Sequence, residues 1–336
     1  MIPSKKIIHA TETQTLLRVE DLTVEFRTRS GTVQALDQVS FSLAMGETLG
    51  LVGESGSGKS VLSLAILGIL DRAAKITHGA IALQGIDLLK IPRAELRQKR
   101  GKEMAMIFQN PRVALNPIRQ VGKQLEDVLA VHQGGPKQGR RDRALALLAQ
   151  VRIPDPERRY HAYPYELSGG MCQRVMIALA LAANPKVLIA DEPTTGLDVT
   201  TQAAVMGLIQ DLAQQGEMGT ILITHDLDLA AQYCDRLLVM HAGHIVEAAP
   251  TAQILTQPRH PYTAKLMAAT PDPHKTLGEL LPIAGHLPDL RGDLPPCRFR
   301  SRCDRPLPEC DRPPLIRQTL TPGHTVACHH PLTPEA

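Results

Sequence analysis

The chain has 336 residues, 43% of them hydrophobic, which is enough to bury the core of a large domain and a smaller second one. Its 37 Lys and Arg residues nearly balance 34 Asp and Glu residues, so the net charge of +3 gives no reason to expect a nucleic-acid partner. The longest apolar run, residues 175–183, is about half of the ~20 residues needed to cross a bilayer. Any role at a membrane is therefore expected to depend on partner proteins.

The first segment, residues 1–15, predicts an extension ahead of the main domain. Its two lysines are followed by neither an apolar segment nor a small-residue cleavage site, so it is not typical of a secretory signal. We therefore expect the chain to stay in the cytosol, with its six cysteines reduced. Cys172 and Cys234 stand alone in apolar helical patterns and are predicted to be core residues.

Residues 16–257 predict one large α/β domain. Its first part, residues 16–44, alternates apolar and polar residues, which predicts antiparallel strands with one solvated face. Short apolar runs then alternate with helical patterns, as is typical of parallel strands joined by crossover helices. Each such run ends near a polar residue, in accord with ligand binding outside the carboxyl ends of strands. These strands are predicted at residues 49–52, 104–108, 187–190 and 220–223.

The segment GESGSGKS follows the first of these strands and opens the apolar helix VLSLAILGIL. It fits the pattern G-x-x-x-x-G-K-[ST] of a phosphate-binding loop, in the strand–loop–helix context that this motif requires. Glycines let backbone amides surround the phosphates, and the helix N-terminus adds a favourable dipole. Lys59 is predicted to reach the β- and γ-phosphates, and the Ser60 hydroxyl to bind Mg²⁺. The residues predicted to bind nucleotide here are Gly53, Glu54, Ser55, Gly56, Ser57, Gly58, Lys59, Ser60 and Val61.

Polar side chains follow the other predicted strands. The run VLIA leads into Asp191 and Glu192, two adjacent carboxylates at the edge where the phosphate loop should also lie. Asp191 is predicted to hold Mg²⁺, and Glu192 to polarise the water that attacks the γ-phosphate. Gln109 and His225 each follow an apolar strand and are predicted to approach the γ-phosphate from the side. The predicted catalytic residues are therefore Glu192, His225 and Gln109.

The pattern changes to helices over about residues 110–180, with GKQLEDVLAVH and RDRALALLAQV on either side of GGPKQG. This predicts a helical subdomain inserted into the α/β domain. The segment ELSGGMCQR then places Ser168, Gly169 and Gly170 at the start of an apolar helix, as a second helix N-terminus suited to phosphate. Because the insertion separates the two phosphate-binding ends, we do not expect them to share one nucleotide within a monomer.

Proline becomes frequent after residue 257, so residues 258–336 predict a semi-rigid connection leading to a cysteine-bearing tail. The four tail cysteines have the spacing C-x5-C-x6-C-x17-C, without the C-x2-C pairs of zinc ribbons, which counts against zinc. Cysteine thiolates are also the usual ligands of iron–sulfur clusters. His329 and His330 adjoin Cys328 and are alternative ligands, although a surface position is the simpler interpretation.

The ordered motifs over residues 16–249 resemble the nucleotide-binding domains of ABC ATPases. That resemblance implies a P-loop NTPase fold with an antiparallel β subdomain and a helical subdomain, and ATP and Mg²⁺ as cofactors. It implies that Phe26 stacks on adenine, and that Gln109 joins Ser60 and Asp191 in binding Mg²⁺. Nucleotide contacts are further implied for Ser168, Gly169, Gly170, Met171 and Asp198. The matching motifs are Walker A at 53–60, the Q-loop at Gln109, the signature at 167–171, Walker B at 187–192, the D-loop at 196–198 and the switch at His225.

The C-terminal segments resemble a narrower group, the ATP-binding subunits of oligopeptide and dipeptide (peptide/nickel) importers. The resemblance rests on RHPYT, the proline-rich connection, PPCRFRSRCDRPLPEC and VACHH. Met171, in place of the glutamine of the common LSGGQ signature, also occurs in that group. Because members carry a [4Fe–4S] cluster at such cysteines, the resemblance implies one here, while zinc and unligated thiols stay open. The implied ligands are Cys297, Cys303, Cys310 and Cys328.

The resemblance implies that the chain is the ATP-hydrolysing motor of a peptide importer, bound peripherally at the cytoplasmic face of the inner membrane. Its implied partners are a second ATPase subunit, in a heterodimer or as a second copy, two membrane permease subunits and an extracytoplasmic substrate-binding protein. Another cargo, such as a nickel chelate or a haem-like compound, stays open because the motor does not line the translocation path. A soluble ABC ATPase acting on ribosomes or DNA is disfavoured, since no second cassette or long coiled-coil insertion is present. A redox-sensing module that also binds ATP is a further alternative, motivated by the tail cysteines.

Overall fold

The computed structural model describes residues 15–134, 136–216, 218–270, 282–292 and 294–333. The predicted N-terminal extension lies outside these residues except for Thr15, as does part of the proline-rich connection, residues 271–281. The strands are β1 Thr15–Thr28, β2 Gly31–Ala44, β3 Thr48–Val52, β4 Ala74–Leu83, β5 Ile86–Asp87, β6 Met104–Ile107, β7 Val187–Asp191, β8 Gly219–Ile223, β9 Arg236–His241, β10 His244–Pro250, β11 Arg317–Thr321 and β12 His324–Ala327. The α-helices are α1 Lys59–Leu67, α2 Arg93–Lys99, α3 Pro111–Ala114, α4 Val121–His132, α5 Lys137–Gln150, α6 Pro156–Tyr160, α7 Gly169–Leu181, α8 Val199–Gly216, α9 Leu227–Tyr233, α10 Thr251–Thr256 and α11 Pro261–Ala268.

An antiparallel sheet of order β2-β1-β4-β5 forms the first layer. Strands β1 and β2 pair antiparallel, which confirms the prediction from the alternating pattern of residues 16–44. Their inward side chains, including Leu17, Leu22 and Leu36, are fully buried, whereas Glu20 and Asp21 are exposed. Strands β4 and β5 complete the sheet. No local sequence pattern assigns these two strands to the sheet.

A larger sheet of order β11-β12-β10-β9-β3-β8-β7-β6 carries the predicted parallel strands. Strands β9, β3, β8, β7 and β6 are parallel neighbours, which confirms all four predicted strands and the α/β fold class. Every residue of β7 and β8 is buried, as expected for parallel strands that are covered on both faces. The carboxyl ends of these strands therefore meet at one edge of the sheet.

A group of helices, α3 to α7, lies between β6 and β7 in the chain and confirms the predicted switch to helical structure. Leu125 of α4 and Leu148 of α5 are fully buried in a core that also holds Tyr160. Gly122 is required at the closest approach, because a Cβ there would stand 2.1 Å from the Tyr160 ring. No helix of the described residues is both long and apolar enough to cross a membrane.

The C-terminal tail contributes two strands to the larger sheet. Strand β12 pairs antiparallel with β10, and β11 extends the sheet beyond β12. Glu247 of β10 is fully buried and accepts hydrogen bonds from the backbone N–H groups of Arg259 and His260, at 2.8 and 2.9 Å. Its Oε1 also lies 2.8 Å from His324 Nε2 in β12. The Glu247 carboxylate thus connects β10, the RHPYT segment and β12 of the tail through hydrogen bonds.

Candidate nucleotide site

A cavity of about 610 Å³ lies at the carboxyl ends of the parallel strands. Gly53 follows β3, Gln109 follows β6, Asp191 ends β7 and His225 follows β8, so the sheet alone brings these distant positions to one place. Phe26 of β1 closes one side of the cavity. The predicted residues that line it are Phe26, Gly53, Ser55, Gly56, Gly58, Lys59, Ser60, Val61, Gln109, Asp191, Glu192 and His225.

The phosphate loop has a backbone that depends on its glycines. Gly53, Gly56 and Gly58 have φ angles of 151°, 80° and 107°, which side chains rarely allow. A Cβ on Gly53 would also stand 2.1 Å from the carbonyl oxygen of Met240 in β9. Helix α1 begins at Lys59 with no side-chain cap, so the amides of its first turn keep their capacity to bind an anion.

Lys59 and Ser60 face the strand-end carboxylates. Lys59 is largely buried, and its Nζ donates to the carbonyl oxygens of Gly53 and Glu54 at 2.8 and 2.9 Å. Burial lowers the pKa of Lys59, although the neighbouring carboxylates oppose that effect. The Ser60 hydroxyl donates to Asp191 Oδ2 at 3.2 Å, and burial raises the pKa of Asp191 above its usual value. A cation, a hydroxyl and a buried carboxylate therefore converge where Mg²⁺ and phosphates would bind.

Glu192 is held by three side chains around its carboxylate. Gln109 Nε2 donates to Oε2 at 2.7 Å, Thr195 Oγ1 donates to the same oxygen at 3.0 Å, and His225 Nδ1 lies 3.2 Å from Oε1. Burial raises the pKa of Glu192, but these hydrogen bonds outweigh burial and leave the pKa below its usual value. The carboxylate is therefore ionised near neutral pH and able to accept a proton. Thr195 was not predicted, because it reaches this carboxylate only through the turn that follows β7.

The backbone of Glu192 is strained, with a φ of 45° immediately after β7. Its N–H donates to the carbonyl oxygen of Ile223 in β8 at 2.9 Å, which fixes the turn against the neighbouring strand. Strained backbone of this kind costs of order 1–3 kcal/mol and is concentrated at functional sites. The turn directs the carboxylate toward Gln109 and His225.

The signature residues lie away from this cavity. Ser168 caps helix α7, and its hydroxyl accepts from the N–H of Met171 at 3.3 Å. Gly170 instead approaches the D-loop, where Asp198 accepts from the Thr201 hydroxyl at 2.7 Å. Among the residues described, the lining of the cavity includes none of Ser168, Gly169, Gly170, Met171 and Asp198.

Two predicted residues of the phosphate loop also turn away from the cavity. The Glu54 carboxylate pairs with Arg302 of the tail. Ser57 is fully buried beneath the loop, and its carbonyl accepts from the N–H of Gly243 at 2.8 Å. Neither side chain lines the cavity, so any contact they make with nucleotide would come from their backbone.

Three cavity residues were not predicted: Val33, Ala35 and Leu290. Val33 and Ala35 alternate along β2, so the period of two could have placed them on one face. Leu290 comes from the proline-rich connection, whose carbonyl at this residue accepts from Gln34 N at 2.9 Å. No local pattern links that connection to β2, because their contact is set by the fold.

The four tail cysteines are free thiols. Cys297, Cys310 and Cys328 are buried and Cys303 is half-buried, and the N–H of Cys297 donates to the carbonyl of Cys310 at 3.3 Å. Burial raises the pKa of Cys297 to about 12. Within the described ranges, no three His, Cys, Asp or Glu side chains are arranged to hold one metal ion. Outside the tail, Cys172 and Cys234 are buried in the core, which confirms their prediction.

This geometry defines an ATP-hydrolysing P-loop NTPase of the ATP-binding cassette class. Residues 36–195 match the family model "ABC transporter", and residues 246–310 match "Oligopeptide/dipeptide transporter, C-terminal region". The chain belongs to the ATP-binding subunits of ABC transporters, in the group that carries this oligopeptide/dipeptide C-terminal region.

The sequence similarity to relatives extends along almost the whole chain. The dipeptide transport ATP-binding protein DppD of Escherichia coli is 44% identical over 317 residues, covering 94% of this chain and 97% of DppD. DppD of Bacillus subtilis is 45% identical over 314 residues, covering 93% of this chain and 94% of that protein. The solved dimeric structure of the ATP-binding cassette MJ0796, bound to ADP and Pi, matches with a TM-score of 0.63 at 30% identity. That match covers 70% of this chain and 99% of the cassette.

Proposed function

We propose that this chain energises the import of dipeptides or oligopeptides through a membrane ABC transporter. The observation that carries the proposal is the ATP cavity joined, in one chain, to a C-terminal region of the oligopeptide/dipeptide transporter type. The end-to-end similarity to DppD, which is named for dipeptide transport, supports the cargo class. The proposed organisation is a cassette over residues 16–257 followed by the peptide-importer region over residues 258–336.

In the proposed mechanism, ATP binds between the phosphate loop of this chain and the signature of a second ATPase subunit. Ser168 lies at the N-terminus of α7, which is suited to phosphate, but it does not line the cavity of its own chain. A nucleotide held by a second subunit would supply the phosphate that this N-terminus could bind. The similar cassette MJ0796 is dimeric in its solved structure. The second subunit would be a related ATPase in a heterodimer or another copy of this chain. Binding would close the pair and hydrolysis would release it.

Within the proposed site, Glu192 accepts the proton of the attacking water, while Gln109 and His225 hold its carboxylate in position. Ser60, Asp191 and Gln109 would hold Mg²⁺, and a hydroxyl, a carboxylate and an amide are oxygen donors of the kind that this ion prefers. Mg²⁺ would neutralise charge on the β- and γ-phosphates. Phe26 would stack on adenine at the side of the cavity.

The proposed contact with the permease lies next to Gln109. Val113 of α3 and Ile118, which follows it, are 81% and 85% exposed although both are large and apolar. Val113 and Ile118 are five residues apart in the segment that follows Gln109, and exposed apolar side chains mark interaction surfaces where they form one patch. A cytoplasmic permease loop on this surface would link closure around Gln109 to the membrane subunits. The chain would then act peripherally at the cytoplasmic face of the inner membrane, with an extracytoplasmic binding protein delivering the cargo.

The test is to purify the assembled transporter, reconstitute it in lipid vesicles and measure ATP hydrolysis with loaded binding protein. We expect di- or oligopeptides presented by that protein to stimulate hydrolysis severalfold, and peptide to accumulate inside the vesicles. The Glu192→Gln complex is the control for background hydrolysis. Stimulation by a nickel chelate or a haem-like compound, without any by peptides, would contradict the proposed cargo.

We also propose that the four tail cysteines hold a [4Fe–4S] cluster. In addition to burial, the charges of Cys303, Cys310 and Cys328 each raise the pKa of Cys297, and those of Cys303 and Cys310 raise the pKa of Cys328, so the four sulfurs lie in one neighbourhood. Cysteine ligands of a four-iron cluster bind different irons, and therefore need not surround a single point as zinc ligands do. Burial raises the pKa of the Cys297, Cys303 and Cys328 thiols, and ligation of all four cysteines by one cluster would contribute directly to the folding of the tail.

Anaerobic purification of the full chain tests this cluster. We expect about four iron and four sulfide per chain, with visible absorption from the cluster. Cys303→Ser should lose most of the iron, whereas Cys172→Ser, which changes a buried thiol of the helical core, should keep it. Stoichiometric zinc with no iron would support the zinc alternative, and protein with neither metal would support unligated thiols.

A further inference from the structure

Glu54, the second residue of the phosphate loop, is the point where the C-terminal tail contacts the nucleotide site. Arg302 Nη1 lies 2.7 Å from Glu54 Oε2, and its Nη2 lies 2.9 Å from Oε1. The pair is therefore bidentate, the strongest and most directional geometry for an arginine and a carboxylate. It joins two positions that are far apart in the chain.

The ion pair is shielded from solvent on the arginine side. The Arg302 side chain is only 3% exposed and that of Glu54 is 28% exposed. Burial raises the pKa of Glu54, but the hydrogen bonds and charge of Arg302 outweigh burial and lower it overall. Removing one partner of such a pair leaves an uncompensated buried charge, which is much more costly than removing an exposed charge.

Tyr262 holds the backbone of the same residue. Its hydroxyl accepts a hydrogen bond from the Glu54 N–H at 2.9 Å, and its side chain is fully buried. The ring packs against Phe299 of the tail, with centroids 5.3 Å apart, and against His241 of β9 at 4.5 Å. Tyr262 belongs to the RHPYT segment, so both contacts to Glu54 come from the C-terminal region.

These contacts reach Lys59, the lysine of the phosphate loop, through one residue. Lys59 Nζ donates to the Glu54 carbonyl oxygen at 2.9 Å, and Tyr262 and Arg302 hold the amide and the side chain of the same residue. A change in the position of Glu54 would therefore move a hydrogen-bond partner of Lys59.

Arg302 also holds the proline-rich connection against the loop. Its Nε donates to the Ala284 carbonyl at 2.9 Å. Further along the connection, Leu287 lies 3.1 Å from the position of a Cβ on Gly56, and Leu290 lines the cavity. A single guanidinium thus contacts both the proline-rich connection and the phosphate loop.

We propose that Arg302 and Tyr262 are positioning residues of the ATP site, so that the C-terminal region completes the phosphate loop of this chain. Their role is to preset the loop for ATP through Glu54, without touching the nucleotide themselves. This goes beyond the proposed function, because the contacts involve neither the cargo nor the cluster proposed at the cysteines.

The experiment measures the Kd of a fluorescent ATP analogue with Mg²⁺, and separately KM and kcat for ATP, on the full chain. Arg302→Gln should raise Kd and KM by about 10-fold or more, because the partly buried Glu54 carboxylate loses its partner. It should change kcat at saturating ATP far less, since Glu192 and its partners are untouched. Tyr262→Phe removes the hydroxyl that accepts from the Glu54 N–H and also hydrogen-bonds with the Glu54 carboxylate, so it should raise Kd a few-fold.

The matched control is Arg300→Gln, which changes another tail arginine that pairs with Asp311 instead of the phosphate loop. It should leave Kd unchanged. The double variant Glu54→Gln with Arg302→Gln removes both charges and should recover much of the affinity lost in Arg302→Gln. Circular dichroism and the thermal midpoint identify any variant that does not fold, and Glu54→Gln and Tyr262→Phe remain as milder tests.

Wild-type Kd in a folded Arg302→Gln variant would overturn the proposal. So would an equal loss of affinity in Arg300→Gln, because it would show a general effect of tail charge. A double variant that binds ATP no better than Arg302→Gln alone would show that Arg302 does not act through Glu54, which would contradict the proposal.

Discussion

Replacing Glu192 with glutamine is expected to lower the rate of ATP hydrolysis by about 10²–10⁴-fold while ATP affinity stays nearly unchanged. The amide keeps the size of the side chain and can still bond with Thr195 and Gln109, but it cannot accept a proton from water. Three hydrogen bonds keep the Glu192 carboxylate ionised near neutral pH. The variant therefore loses a base that is already in its proton-accepting form. Steady-state hydrolysis and equilibrium binding of a fluorescent ATP analogue separate the two effects.

The control for this variant is Glu20→Gln, an exposed carboxylate on the antiparallel sheet. It should hydrolyse ATP at the wild-type rate. Full turnover by Glu192→Gln would show that Glu192 is not the base, and His225 would then be the candidate for that role. Loss of binding together with turnover would instead assign Glu192 a part in holding the nucleotide.

Replacing Lys59 with alanine is expected to raise the Kd for ATP by on the order of 10²-fold, because hydrogen bonds from a charged donor contribute about 1.5–3 kcal/mol each. The free energy of unfolding should change much less. Alanine removes three hydrogen bonds, to Gly53, Glu54 and Ser57, but it also removes a cation whose burial is itself costly. Urea unfolding and nucleotide titration of the same preparation measure both quantities.

Lys90→Ala is the matched control, since Lys90 is exposed and pairs with Asp87 at the surface, away from the cavity. Both its affinity and its stability should match those of the wild type, because ion pairs at the exposed surface contribute little to stability. If Lys59→Ala lost binding in proportion to a lower unfolding midpoint, the lysine would be structural. Retained ATP affinity in a folded Lys59→Ala variant would contradict its contact with the phosphates.

Local sequence patterns were sufficient to predict the features that depend only on contiguous segments of the chain. The phosphate loop needs glycines, a lysine and a serine at fixed spacing between a strand and a helix, and all of these are local. The same holds for the signature, whose serine caps its own helix, and for the parallel strands, which are short apolar runs ending in polar residues. The resulting α/β fold class and the convergence of Asp191, Glu192 and Gln109 followed from one rule about strand ends.

The tertiary structure alone decided which distant segments complete these elements. Periodicity states that a strand exists but not which strand lies beside it, so neither β4 in the antiparallel sheet nor β12 beside β10 could be predicted. The same limit applies to Leu290 at the cavity and to Arg302 at Glu54, because each contact joins segments that are remote in the chain. A surface arginine and a buried arginine have the same sequence signal. What distinguishes Arg302 is the carboxylate that the fold places opposite it, since only a paired charge can be buried without a large cost.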